Sequence, residues 1–257
     1  MTDELNPYRA PEDVATPIAT GDSAANSFAR PFESGRRIGR WAAVFITIYM
    51  VVGVAMIYSC FQQIDLLTRM LGEVGIRTSH IESTDPFFND LRQTTIRRVD
   101  FFFSVAALIA FLTWIHRAYR NLPSIGATCL RFSPGWAVAY FFIPILSFFR
   151  PYQVVREIWS GSDPAELPES DEAPSPPGIV TWWWTLWIAG GLTSSVWIMY
   201  LDRVVNARDL ITATWIEIVA EVLSIGAAAF SLFVIGAIDL NQKTKNQLLT
   251  ARLSSER

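Results

Sequence analysis

The chain has 257 residues, of which 51% are hydrophobic and ten are tryptophan, with a formal net charge of −3. The apolar residues are gathered into blocks of bilayer length, so the composition marks an all-α integral membrane protein rather than a soluble domain. The mild charge, with arginines set beside the apolar blocks, excludes a nucleic-acid partner; two cysteines without a CxxC and two distant histidines indicate no metal or cofactor.

Residues 1–38 are polar and proline-containing, hold no apolar core of signal-peptide length, and read as a disordered cytoplasmic tail. The membrane domain follows over 39–242. Its first span, at about 41–61, is WAAVFITIYMVVGVAMIYSCF, without a charged residue and preceded by Arg30, Arg36, Arg37 and Arg40. Basic flanks mark the cytoplasmic side, which puts the N-terminus inside. Beyond Phe61, the spacing of Ile64, Leu67, Leu71 and Val74 extends the helix past the outer face, with a stop near Gly72 or Gly75. Asp85 as N-cap and Pro86 at the first helical position start a second helix, so residues 62–98 are expected to form a projecting helical hairpin. The second span, about 99–118, ends in WIHRAYRNLP, where Arg117 and Arg120 mark the inner side and Pro123 ends the helix at Leu122.

The next apolar run, 136–149, is short for a crossing and contains Pro144. A full crossing there gives five spans and places the tail carrying Lys243 and Lys245 outside. A segment over 133–159 that enters and returns gives four spans and keeps Arg117, Arg120, Arg131, Arg150, Arg156 and the basic tail inside, which satisfies the positive-inside rule better. The expected fold is therefore four transmembrane helices plus a proline-broken re-entrant or interfacial segment. An acidic, proline-rich loop at 160–178 is expected to be disordered. Spans at about 179–200 and 215–238 and a basic cytoplasmic tail at 243–257 complete the chain. Trp182, Trp183 and Trp184 suit an interfacial anchor. Cys60 and Cys129 fall on opposite faces and are not expected to pair.

The runs FLTWIHRAYRNLPSIGA, RFSPGWAVAYFFIPILSFFRPYQVVREIWSGSDP and WWWTLWI resemble the bacterial membrane-protein family named domain of unknown function 4328. The resemblance covers most of residues 40–240. Its matching positions are Trp114, Arg117 and Asn121, then Ser133, Pro134 and Trp136, then Pro144, Pro151, Glu157 and Trp159. It implies a multi-pass protein of the bacterial inner membrane and implies no activity.

Three acidic residues lie inside or at the mouth of spans: Asp100, Glu217 and Glu221. Charged groups there are costly unless paired, and they face the bundle. One reading is an outward-facing ion or proton site, in which Asp100 meets Glu221. The other is structural, with Glu217 bridged to Arg97, Arg98, Arg203 or Arg208 and Asp100 paired locally with Arg97. On the inner side, Glu157 is expected to pair with Arg117 or Arg120 and stitch the broken segment to the second helix; the same arginines suit anionic lipid. In GGLTSS, Gly190 with Ser194 and Gly191 with Ser195 serve either an oligomer face or packing within the bundle. The chain lacks HExxH, a Walker A loop and a GxSxG elbow, which argues against an enzyme. Two function classes stand: a non-enzymatic scaffold, regulator or partner subunit working with a membrane protein or a second copy, and a small oligomeric transporter or channel using the three carboxylates.

Overall fold

A computed structural model describes residues 31–73, 85–128, 130–165 and 178–255. All regular structure among them is helical: α1 (Arg36–Glu73), α2 (Asp85–Asn121), α3 (Pro134–Ala139), α4 (Arg150–Ser162), α5 (Gly178–Leu201) and α6 (Ala207–Ser255), with 3-10 turns at Pro123–Ile125 and Leu146–Phe148. Three of these, α1, α2 and α6, are long and apolar enough to cross a membrane. The helix at the fourth expected span, α5, has 24 residues and none charged, but its tryptophans and its small and hydroxyl residues keep it out of that set.

The long helices exceed a bilayer. At 1.5 Å per residue α1 spans about 57 Å and α6 about 74 Å, against an apolar layer of about 30 Å. They run antiparallel: α1 meets α6 through Gly39 and Asp239 at one end and Gln63 and Thr214 at the other, and α5 meets α6 through Trp183 and Ser231 and through Gly190 and Ser224. The end where α1 begins is called basal here, the opposite end distal. At the distal end Arg92 and Gln93 of α2 donate to Ser59 of α1, and Leu67 is buried, so the expected hairpin is helical on both described limbs. Leu71, expected on its apolar face, is exposed. The connection at 74–84, with Val74 and Gly75, lies outside the described residues.

The run at 130–162 is not one helix. Ser133 caps α3, accepting from the Trp136 N–H, and Pro134 occupies its first turn. The helix stops at Ala139, and α4 resumes only at Arg150 with Pro151 in its first turn. Between them Ile145 has φ 68° and ψ −53°, and the Leu146 N–H donates to the Pro144 carbonyl at 2.8 Å. This is a γ-turn with a β-branched residue at positive φ, a conformation that costs roughly 1–3 kcal/mol. Both limbs return to the basal end: the Arg131 N–H donates to Glu157 at 2.6 Å, and Gly161 and Ser162 bond to α6 near its Lys245 and Gln242. In between, Phe141 packs edge-on against Phe111 of α2 and Trp187 of α5. Phe111 stands about 15 Å above Asn121 along α2 by the rise per residue.

Three boundaries differ from expectation. The first helix starts at Arg36, and Phe32 and Glu33 are already engaged with the bundle. The basal residues 243–255 continue α6 rather than forming a separate tail, because Lys245 is buried under α4. The loop expected at 160–178 begins later, since α4 runs to Ser162; residues 1–30 and 166–177, which hold most of both expected disordered segments, and Cys129 lie outside the described residues. The tryptophan run is split by helix rotation: Trp182 faces outward, whereas Trp183 is fully buried and donates to Ser231 at 2.8 Å, so it is a core residue and not an interfacial anchor.

Close approach of α1 to α6 depends on Gly39. A Cβ there would stand 2.3 Å from Asp239 Oδ2 and 3.2 Å from Ile235 Cγ2. Gly39→Ala should therefore destabilise the bundle by about 1–3 kcal/mol, the range for overpacking, read as a lowered Tm in detergent.

Candidate functional site

The distal half of the bundle holds the acidic residues. Glu217 of α6 is buried and receives a two-pronged ion pair from Arg97 of α2, Nε to Oε1 at 2.8 Å and Nη2 to Oε2 at 2.9 Å. Of the arginines weighed in the sequence, Arg97 is the one that reaches it. The Cys60 thiol donates to the same carboxylate at 3.7 Å, and the Arg97 guanidinium lies 5.5 Å from the centre of the Trp197 ring. This cluster ties α1, α2, α5 and α6 together at one level, with the geometry that makes arginine–carboxylate pairs strong.

With Arg97 committed to Glu217, Asp100 does not have it as a hydrogen-bonding partner: Asp100 Oδ1 is buried and unpartnered. Glu221, one turn below Glu217, also has a buried oxygen, Oε1, without a partner. The carboxylate fits because α1 carries Gly53 opposite it; a Cβ at Gly53 would stand 2.3 Å from Glu221 Oε1. Tyr49, one turn along α1, stands close to Glu221 and Ser224.

Beside Tyr49 and Ser224 lies a cavity of about 510 Å³ between α1, α2, α5 and α6. Its walls carry Ser104, Ser194, Ser195 and Ser231, and Ser147 and Phe148 of the broken segment close its basal side. The small-residue run GGLTSS divides between two tasks. A Cβ on Gly190 would meet Ser224 Oγ at 3.0 Å, so Gly190 serves packing of α5 on α6, while Gly191 has open space before it and lines the cavity.

At the basal end, several of the positions that carry the family resemblance come together. Trp114 is fully buried and its indole donates to Asp239 of α6 at 3.0 Å. Asn121 donates to the Glu33 carbonyl at 3.0 Å and to Gln242 at 3.2 Å. Gln242 in turn donates to the Ala118 carbonyl and to Ser162. Arg117 pairs with Glu33, not with Glu157 as expected; the Arg117 guanidinium holds the Glu33 carboxyl below its usual range. Glu157 Oε1 accepts instead from the Arg131 N–H, its Oε2 is buried without a partner, and burial pushes its carboxyl up. The broken segment is joined to α2 through Tyr119, whose hydroxyl accepts from the Phe132 N–H at 2.9 Å. Pro151 is buried and Trp159 half-buried in the core, whereas Trp136 is exposed and tilts against Tyr140.

Sequence reasoning passed over Asp239, Gln242, Ser162 and Tyr119. Asp239 and Gln242 are three residues apart at the end of the last apolar run, the spacing of one helix face, and a polar pair there was the available signal. Nothing local marks Tyr119 or Ser162, whose partners, the Phe132 N–H and Gln242, lie in other parts of the chain.

The family profile of Domain of unknown function (DUF4328) matches residues 77–239. The match takes in α2 to most of α6 and the whole broken segment, and leaves out α1, so it is narrower than the resemblance drawn from the sequence. No curated protein and no solved structure matches the chain.

Removing one partner of the distal pair leaves a desolvated charge. Because Arg97 is about one-third exposed (34%) and Glu217 is not (9%), Arg97→Gln should cost about 2–3 kcal/mol, less than for a fully buried pair. The double variant Arg97→Gln with Glu217→Gln should recover most of that loss, as read by thermal unfolding in detergent.

Proposed function

The chain belongs to this domain-of-unknown-function family, and from that premise we propose a multi-pass protein of the bacterial inner membrane that binds within the bilayer as a non-enzymatic regulator or partner subunit. In this reading α1, α2, α5 and α6 are the four spans, both termini are cytoplasmic, and residues 133–159 re-enter the membrane from the inside. The observation that carries the topology is that α2 ends and α5 begins at the same end of the bundle, with a broken, twice-returning chain between them. The basal end also gathers Arg36, Arg37, Arg40, Arg117, Arg120, Arg131, Arg150 and Arg156, the side that positive charge assigns to the cytoplasm. These arginines also suit anionic lipid of the inner leaflet.

The cavity at mid-bundle supports binding as the role. A second reading, a small oligomeric transporter using outward-facing carboxylates, is favoured by the unpartnered oxygens of Asp100 and Glu221. Glu217 carries less of that reading, because Arg97 already neutralises it.

A topology experiment tests the membrane reading. With both native cysteines replaced by Ser, a single Cys at Ser170 should be protected from a membrane-impermeant maleimide in intact cells and labelled after detergent opening. A single Cys at Asp202 should be labelled in both. Labelling of the Ser170 position in intact cells would mean that 134–149 crosses the membrane and would end the re-entrant reading.

A further inference from the structure

The helices are arranged in the order α2, α1, α6, α5, and α2 and α5 are not packed on each other along their length. They touch at two levels. On the basal side Phe111 meets Trp183, ring centres 5.8 Å apart, backed by Phe141. On the distal side Arg97 lies over Trp197. Trp183 and Trp197 are about 21 Å apart along α5 by the rise per residue, so the gap between the two contacts falls inside the apolar layer. The cavity opens sideways through this gap: Val105 on α2 and Leu192 on α5 line it and are exposed. A side-opening window at that depth admits molecules dissolved in the bilayer in preference to solutes from water.

The polar chemistry of the wall is one-sided. Neither Lys nor Arg nor His lines the cavity. The hydroxyls of Ser104 and Ser195 donate to carbonyls of their own helices at 2.9 Å each, which leaves their lone pairs as acceptors, while the Ser231 oxygen is taken by the Trp183 indole. Behind Tyr49 and Ser224 stands Glu221, and one turn from Ser104 stands Asp100, each with a buried oxygen that has no partner. The wall therefore offers acceptors backed by negative charge. A carboxylate or phosphate head would be repelled there; a protonated amine would supply the missing donors, and its hydrocarbon chain would leave through the window into lipid.

We propose that this side-opening cavity is a binding site for a lipophilic amine, a single-chain amphiphile whose ammonium head sits against Tyr49 and Ser224, with the Glu221 carboxylate behind them. This deepens the in-membrane binding role above and rests on the membrane reading, which the Cys-labelling experiment checks independently.

The test uses the full chain purified in detergent, with Trp183 and Trp187 on the cavity wall as reporters. Dodecylamine, dodecanol and dodecanoate, each carrying a nitroxide near the chain end, are titrated and tryptophan quenching is followed. The amine should quench saturably and bind about tenfold more tightly than the alcohol, the margin of a charge-assisted hydrogen bond. Gly191→Leu, whose side chain enters open space and fills the cavity, should abolish the saturable phase while leaving Tm unchanged. Glu221→Gln should bring the amine down to the level of the alcohol. Equal quenching by all three probes would make the cavity a plain acyl-chain groove and overturn the proposal. So would saturable quenching that survives Gly191→Leu, or a Gly191→Leu chain that changes from dimer to monomer, which would mark the groove as a helix interface between copies.

Discussion

Lipid cannot hydrogen-bond to a peptide group, so a backbone that stops being helical within the apolar layer must satisfy its own donors or be covered by protein. In the proposed re-entrant placement, residues 140–149 meet most of this demand with turns, the Ile143 and Ile145 N–H groups excepted. The N–H groups of Phe141, Phe142, Leu146, Ser147, Phe148 and Phe149 all donate to carbonyls two to four residues back. Pro144, which has no N–H, stands where the helical ladder is broken, and the γ-turn at Ile145 takes the strain of the reversal. Phe141 is seated against Phe111 and Trp187 in the bundle's core, while Phe142, Ile145 and Phe149 at the tip stay exposed. The rest of the arrangement follows. A segment that returns to the basal end leaves α5 to run antiparallel to α6, and it fills the basal half of the space between α2 and α5 but not the distal half.

That division explains why the two halves are built differently. The basal half is closed by a continuous polar network in which Asn121, Gln242 and Ser162 join α2, α6 and α4, with Trp114 bonded to Asp239 beside it. Each of these side chains has at least one partner on another helix, which suits groups removed from water. The distal half is held by fewer and stronger contacts, chiefly the ion pair of Arg97 with Glu217 and the stacking of Arg97 on Trp197. Below that clasp the helices part, and the buried oxygens of Asp100 and Glu221 are left unpartnered. Buried oxygens without a partner occur in both halves, Glu157 Oε2 on the basal side and those of Asp100 and Glu221 on the distal side.

Glycine placement follows the same logic. Gly39 and Gly53 on α1 lie opposite Asp239 and Glu221 on α6, each making room for a carboxylate between two helices. One of these carboxylates finds an indole donor in Trp114; the other keeps an oxygen without a partner beside a cavity. The difference between a structural acid and a candidate binding acid is a donor supplied from α2, not a difference in the local sequence.

The amino-acid sequence alone determined the helical class, the break near Pro144, the start of α2 at Asp85 and Pro86, and its end before Pro123. These follow from periodicity and from what proline does to the chain within a few residues of itself. It also marked Trp114, Asn121 and Glu157 as special without saying what they touch. Only the tertiary structure decided that Arg97 takes Glu217, that Arg117 takes Glu33, and that Glu157 takes the Arg131 N–H. Only it divided Trp182 from Trp183 and Gly190 from Gly191. A helix face is legible from spacing, but which neighbour that face meets, and at what height, depends on the relative rotation and offset of helices distant in the chain, which no local pattern encodes.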